Sequence, residues 1–356
     1  MESMPGYDAA RSSAVVVDRS GEGRLRLTGA DRVAWLQGLV TNDVAALQPG
    51  QGCYAAYLTP QGRMISDLRI LATREALLLD LPTVARATVA ARFEQFIITE
   101  DVVVEDVTAR IARLAVHGPQ AAAIVGAALD VPAAALAALA EHAHLDVEFQ
   151  DAPVFVAGCH ALGGPGFDIY CAAERVTDVA ERLFAAGAHD VTADAWDTLR
   201  IEAGLPLFGV DMDTDTIPLE AGLEAHAISQ TKGCYVGQEV VIRILHRGGG
   251  RVVRKLVGWT ADERSSGDTV PEPGTPFSID GKDIGRVTSA AWSPTLLRVV
   301  GLGYVHRDHT EPGTRLTVAC DPPMAATLAT LPLVAMPVTA SSASATSAAG
   351  ASAGGA

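Results

Sequence analysis

Ala195-Trp-Asp-Thr-Leu-Arg-Ile-Glu-Ala-Gly-Leu-Pro-Leu-Phe-Gly-Val-Asp211 is a helix with its stop signal attached. Trp196, Leu199 and Ala203 share one face at helical spacing, and Gly204 with Pro206 ends the helix. Glu202 therefore falls in the last turn, where a carboxylate opposes the negative end of the helix dipole by several tenths of a kcal/mol. Nothing local compensates, and local rules broken in this way point toward function. A carboxylate there can accept two parallel N–H donors from a flat heterocycle such as a pterin. It can equally pair with a Lys or Arg from elsewhere. Trp196 reads either as core or as an aromatic wall for such a ring.

Downstream lies Lys232-Gly-Cys-Tyr-Val-Gly-Gln-Glu239, where two glycines bracket Cys234 and Tyr235 in a tight turn. Such a turn can present a thiol, and Lys232 two residues away would favour the thiolate. A helix starting at Gly237 to Glu239 would add to that, but the β-branched residues of Val240 to Leu245 suit a strand instead. A buried, unreactive cysteine is the competing reading. From about Val252, short β segments recur every ten residues or so between Pro271, Pro273-Gly274, Gly281, Gly285 and Pro312-Gly313, the texture of a small β-barrel. After Met336 the chain is almost only Ala, Ser, Thr and Gly, too poor in large apolar groups to offset ordering entropy.

Upstream, Leu25 to Leu27 forms a short strand. Thr28-Gly-Ala-Asp31 fits a capping box before a helix whose face carries Val33, Leu36 and Val40. Tyr54 to Leu58 enters a turn at Thr59-Pro-Gln-Gly62, Ile65 to Leu71 pairs back, and Asp67 sits on the returning arm as a solvated or cavity-lining group. A helix over Ala85 to Phe96, strands at Val102 to Val104 and Ala112 to Val116, and alanine-rich helices over Ala121 to Ala143 follow. A second such unit runs through Val154 to Val156, Phe167 to Cys171 and Val176 to Ala186. The spacing therefore predicts two similar α+β units followed by a barrel. The glycine runs Gly163-Gly-Pro-Gly166 and Gly248-Gly-Gly250 lack the context of a phosphate loop and read as turns.

The 356 residues favour two or three packed units over one. No apolar run reaches the roughly 18 residues of a membrane span, and residues 1–11 carry no secretory pattern, so a cytoplasmic location is expected. A net charge of -15 argues against general nucleic-acid binding, the local basic patch at Arg243 to Lys255 aside. Five cysteines without Cys-x-x-Cys spacing disfavour a disulfide framework or zinc knuckle, so no metal ligands are expected. One motif cysteine cannot hold an iron-sulfur cluster that needs four thiolates.

Together these passages resemble the glycine-cleavage T-protein (aminomethyltransferase) superfamily over roughly residues 13 to 320. Thr41 to Val44, Tyr57 to Gly62 with Ser66 to Leu68, Arg200 to Gly204 with Gly209 to Asp211, and Gly285 to Ser289, Ser293 to Thr295 and Gly301 to Tyr304 carry the likeness. The octapeptide at Lys232 to Glu239 resembles the signature of its YgfZ-type branch. The resemblance implies a T-protein-like α+β fold: two ferredoxin-like units intertwined over 13–245, a C-terminal β-barrel over 246–335, a disordered tail over 336–356, and a central folate site. It implies tetrahydrofolate as ligand and a role in assembly or repair of iron-sulfur enzymes, which would be transient partners, with Cys234, Lys232 and Asp67 in the chemistry. Glu202, Trp196, Tyr235 and Arg200 are then the folate-binding positions. The alternative is a folate-dependent aminomethyltransferase or demethylase. Two departures stand out: Ser66-Asp67 where aminomethyltransferases usually carry two adjacent aspartates, and Glu22 where some bacterial relatives have tryptophan.

Overall fold

Gln51–Leu58 and Met64–Ala72 pair as an antiparallel hairpin, and Leu77–Leu81 adds to its outer arm. Gly23–Thr28 and Val103–Asp106 complete a five-stranded sheet. In the computed structural model, which describes residues 4–247, 250–263 and 269–337, this sheet has two unlike faces. Side chains alternate along a strand, so Leu25, Leu27, Leu68, Ile70, Leu77 and Leu79 point one way, into a core closed by Trp35, Tyr57 and Phe93. Arg24, Asp67, Arg69, Leu71, Leu78 and Asp80 lie on the opposite face.

The second sheet has six strands in the spatial order His189–Asp190, Val15–Asp18, Ile111–His117, Gly166–Ala172, Ala152–Gly158 and His144–Phe149. Its first strand, Val15–Asp18, precedes the whole five-stranded sheet in the chain, so one domain is inserted in the other. Val116, Ile169 and Cys171 pack with Ile124, Val125, Val179 and Leu183 of the helices Ala121–Leu129 and Val176–Ala185. The alternate set, Arg113, His117, Asp168 and Tyr170, turns toward the first sheet, where Tyr170 and Ala157 meet Leu71 and Leu78.

Arg254–Ala261, Pro276–Ile279, Lys282–Ser293, Arg298–His306, Arg315–Val318 and Met324–Ala329 close into a barrel around Trp259, Phe277, Val287 and Val299. Closure removes the free edges that short glycine-rich strands would otherwise expose. Met336, the first residue of the expected tail, is buried with Tyr7, Val15 and Trp196; residues 338–356 lie outside the described residues, as do Gly248 and Gly249 of the second glycine run.

Two local expectations differ. The helix after Asp31 spans only Arg32–Gln37, and Asp31 makes no side-chain cap; its carboxylate accepts from Asp101 N at 2.8 Å instead. Of the two alternatives open after the octapeptide's second glycine, the helix forms, over Gln238–Ile242. Gly237 decides this: its φ of 84° is left-handed, and a Cβ there would lie 2.5 Å from the Thr59 carbonyl oxygen, so only glycine turns the chain inward. Val241 is then buried, and this packing outweighs β propensity.

Candidate functional site

Two sheets facing each other with charged residues at alternate strand positions create a buried ionic layer. Asp168, 0% exposed, receives Arg69 from the first sheet and lies 3.3 Å from Arg113 Nε of its own sheet. Asp80 on the first sheet receives Arg113 in turn, with Arg24 at 3.6 Å and Tyr170 Oη donating at 3.1 Å. Glu22 joins from the preceding loop, 3.0 Å from Arg19 and 3.1 Å from Arg113. Burial alone would raise the Asp168 carboxyl pKa, but Arg113 and Arg69 overcome it and hold this group far below the usual carboxylate range.

At one edge of this layer is Asp67. Its Oδ2 accepts from Tyr54 Oη at 2.6 Å, while its Oδ1, itself shielded from solvent, has no protein partner. Burial raises the Asp67 carboxyl, with the Tyr54 hydrogen bond opposing. Ser66, in place of a second aspartate, is buried and donates to the Asp67 carbonyl at 2.7 Å. At the other edge the buried His117 has neither ring nitrogen paired. Its pKa is pushed down to about 3 by burial, so the ring is neutral. The Trp196 ring stands edge-on to it at 5.2 Å, and the Arg19 guanidinium lies 5.2 Å from the Trp196 ring. His117, Cys159 and Asp168 each bring a ligand atom within 4.8 Å of the others, a grouping the cysteine spacing did not reveal. Two guanidiniums on Asp168 oppose a divalent cation there.

Glu202 is 1% exposed and lies at a separate seam. Tyr7 Oη reaches its oxygens at 2.6 and 2.8 Å, Ser293 donates at 2.5 Å and Arg11 at 3.3 Å. Burial raises the Glu202 carboxyl, against these donors. The dipole-opposing carboxylate therefore does meet an arginine, together with two hydroxyls, all distant in sequence. The structure does not bring Glu202 and Asp67 into mutual contact.

Three expected site residues have other occupations. Arg200 spends its guanidinium on Asp197 at 2.6 Å, Asp211 at 2.5 Å and Ser289 at 2.7 Å, locking its helix to the barrel. Tyr235 is buried in the first core, with the Lys232 ammonium 5.2 Å over its ring. Lys232 turns its ammonium to the backbone: Nζ donates to the carbonyls of Gln37, Val40 and Asn42 at 2.7, 2.6 and 2.8 Å, and burial lowers its pKa to about 8. Cys234 is exposed between these anchors, and none of the five cysteines is in a disulfide.

Two interlocked sheets sealed by buried charge and clamped to a closed barrel define a three-part α+β architecture. Residues 5–231 match the GCVT N-terminal domain and residues 254–334 match the glycine cleavage T-protein C-terminal barrel domain. The aminomethyltransferase of Rubrobacter xylanophilus is 32% identical over 92% of this chain and 84% of its own. That of Bacillus subtilis is 31% identical over 88% and 85%. The crystal structure of the glycine cleavage system aminomethyltransferase T from Bartonella henselae superposes with a TM-score of 0.82 at 25% identity, covering 93% of this chain and 89% of that one. The chain belongs to the glycine cleavage T-protein family. No helix among the described residues is long and apolar enough to cross a membrane.

Proposed function

We propose that the protein binds tetrahydrofolate and performs folate-dependent one-carbon transfer of the aminomethyltransferase type. Asp67 carries this reading, as a carboxylate held through one oxygen by Tyr54 with its other oxygen shielded and unpaired. An unpaired buried acceptor costs about 1–3 kcal/mol, which a donor from a ligand would recover. A folate ring amine fits that role. As the amine nitrogen forms its new bond to the transferred carbon and the donor's bond to that carbon breaks, the amine proton passes to Asp67 Oδ1. Glu202 offers a buried carboxylate to the pterin, whose paired N–H donors would replace those of Tyr7 and Ser293. The reading carries with it a cytoplasmic setting.

Asp67→Asn preserves shape and the Tyr54 contact but accepts no proton. The expected result is tetrahydrofolate binding within a few-fold of the parent, by tryptophan fluorescence and calorimetry, with turnover of an aminomethyl donor reduced by about 10²-fold or more. Undiminished turnover removes Asp67 from the chemistry. Absence of both fluorescence response and heat in the parent removes folate altogether. Because burial raises the Asp67 carboxyl, the ionised form and its rate are expected to be lost, as pH falls, at a higher pH than for an ordinary carboxylate.

A second reading, a YgfZ-type maintenance factor for iron-sulfur enzymes, is favoured by the exposed Cys234 in its signature octapeptide. It predicts that Cys234→Ala fails to restore iron-sulfur enzyme activity in a deletion strain while leaving folate turnover intact. Full restoration removes the thiol's role.

A further inference from the structure

Beside the octapeptide the surface opens into a groove of about 520 Å³ lined by Asp31, Ala34, Trp35, Gly38, Leu39, Phe96, Thr99 and Glu100. Trp35 and Leu39 form its floor, each nearly buried, and Phe96 stays 41% exposed at its lip. Ile98 follows, 84% exposed. Two large apolar side chains thus stay open to solvent at and next to this lip. The groove's two ionisable lining residues are both acidic, and neither Asp31 nor Glu100 makes an ion pair among the described residues. Asp31 holds Asp101 N at 2.8 Å, and Glu100 accepts from Ile98 N at 2.8 Å and Thr99 N at 2.9 Å. The acidic rim is thus fixed in place by backbone donors and keeps its charge uncompensated.

The position of this groove matters as much as its chemistry. Lys232 Nζ donates to the Gln37 carbonyl at 2.7 Å and Val236 N to the Gly38 carbonyl at 3.2 Å. The octapeptide is therefore pinned on both sides of Cys234 to the stretch that supplies Gly38 and Leu39 to the groove.

We propose that this groove is a docking surface for a partner protein that presents a basic amphipathic helix, its apolar side chains seated on Trp35, Leu39 and Phe96 and its lysines or arginines against Asp31 and Glu100. Helix-in-groove recognition lays the apolar face of an amphipathic helix into such a trough through anchors at i, i+3, i+4 and i+7. Acidic rim charges select a basic partner and speed its encounter in a salt-dependent way. The inference rests on neither functional reading above, since docking requires neither folate nor a particular reaction of the thiol.

The test uses the full-length protein and two fluorescein-labelled helical peptides with leucines at i, i+3 and i+7, one with lysines at the remaining polar positions and one with glutamates. Anisotropy is expected to show saturable binding of the lysine peptide, at least tenfold tighter than the glutamate peptide and weakened several-fold on raising salt from 50 to 300 mM. Ala34 is an exposed lining residue, so Ala34→Arg blocks the groove without touching the core and should abolish binding, whereas Ala34→Ser should retain it. Cys234→Ser should bind unchanged. Equal binding of both peptides, or binding indifferent to Ala34→Arg in a variant with parental melting temperature, overturns the proposal.

Discussion

Asp168→Asn is expected to destabilise the folded chain by about 3–5 kcal/mol, the usual cost of removing one partner from a buried ion pair. The substitution changes almost no volume, so the effect isolates charge. Arg69 and Arg113 converge on Asp168 from two different sheets, and without its carboxylate two buried guanidiniums face each other with fewer counter-charges. Urea unfolding followed by circular dichroism should show the midpoint falling sharply. The pH dependence carries an independent sign. Because the folded Asp168 carboxyl is held far below its unfolded value, its contribution is present above the ordinary carboxylate range and is lost as pH falls through and below it. The parent should therefore weaken with acid more steeply than the asparagine variant. Equal acid sensitivity, or a loss under about 1 kcal/mol, would mean that the ionic layer is less buried than its geometry indicates.

Lys232→Met should be the second large effect, about 3 kcal/mol or more, because three carbonyls lose one shared charged donor and each unsatisfied buried acceptor costs about 1–3 kcal/mol. Burial disfavours the ammonium and offsets part of this. For a chain of 356 residues a loss of about 3 kcal/mol should lower the melting temperature by roughly 4 °C, and a larger loss by proportionally more. The result separates two roles for a signature lysine. If Lys232 acted on the neighbouring sulfur, the variant would melt normally and alkylate more slowly at Cys234. If it holds the turn after Arg32–Gln37, melting falls first, and any change at Cys234 follows from displacement of its loop.

The difference between these roles shows where sequence reading succeeds and stops. Nearness in sequence placed Lys232 beside Cys234, but a flexible four-carbon stem reaches any acceptor within its radius, and the nearest cluster belongs to residues almost two hundred positions away. The helix ending at Glu202, its stop at Gly204 and the barrel were legible because they depend on spacing and on glycine and proline, which act locally. Glu202 stands out in the sequence as a carboxylate in a last helical turn, yet its partners Tyr7 and Ser293 come from distant segments that no local pattern joins. The ionic layer left a clue of its own. Asp80 interrupts an otherwise apolar strand, Arg69, Arg113 and Asp168 sit in largely apolar ones, and period-two alternation puts all four on inward faces. A lone charge inside such a strand should be read as a question about the opposite sheet.

The seam at Glu202 joins the beginning, middle and end of the described chain: Tyr7 and Arg11, Ser293, and Val334, whose N–H donates to the Glu202 carbonyl at 3.0 Å. During synthesis these segments leave the ribosome far apart in time. At about 5–20 residues per second, the interval from Tyr7 to Val334 is on the order of tens of seconds. From the emergence of Glu202 until Ser293 and Val334 are made, the seam lacks these two partners. Both sheets can form before the barrel exists, but this seam is complete only once Val334 has been made, so the last strands report whether all three parts of the fold are present.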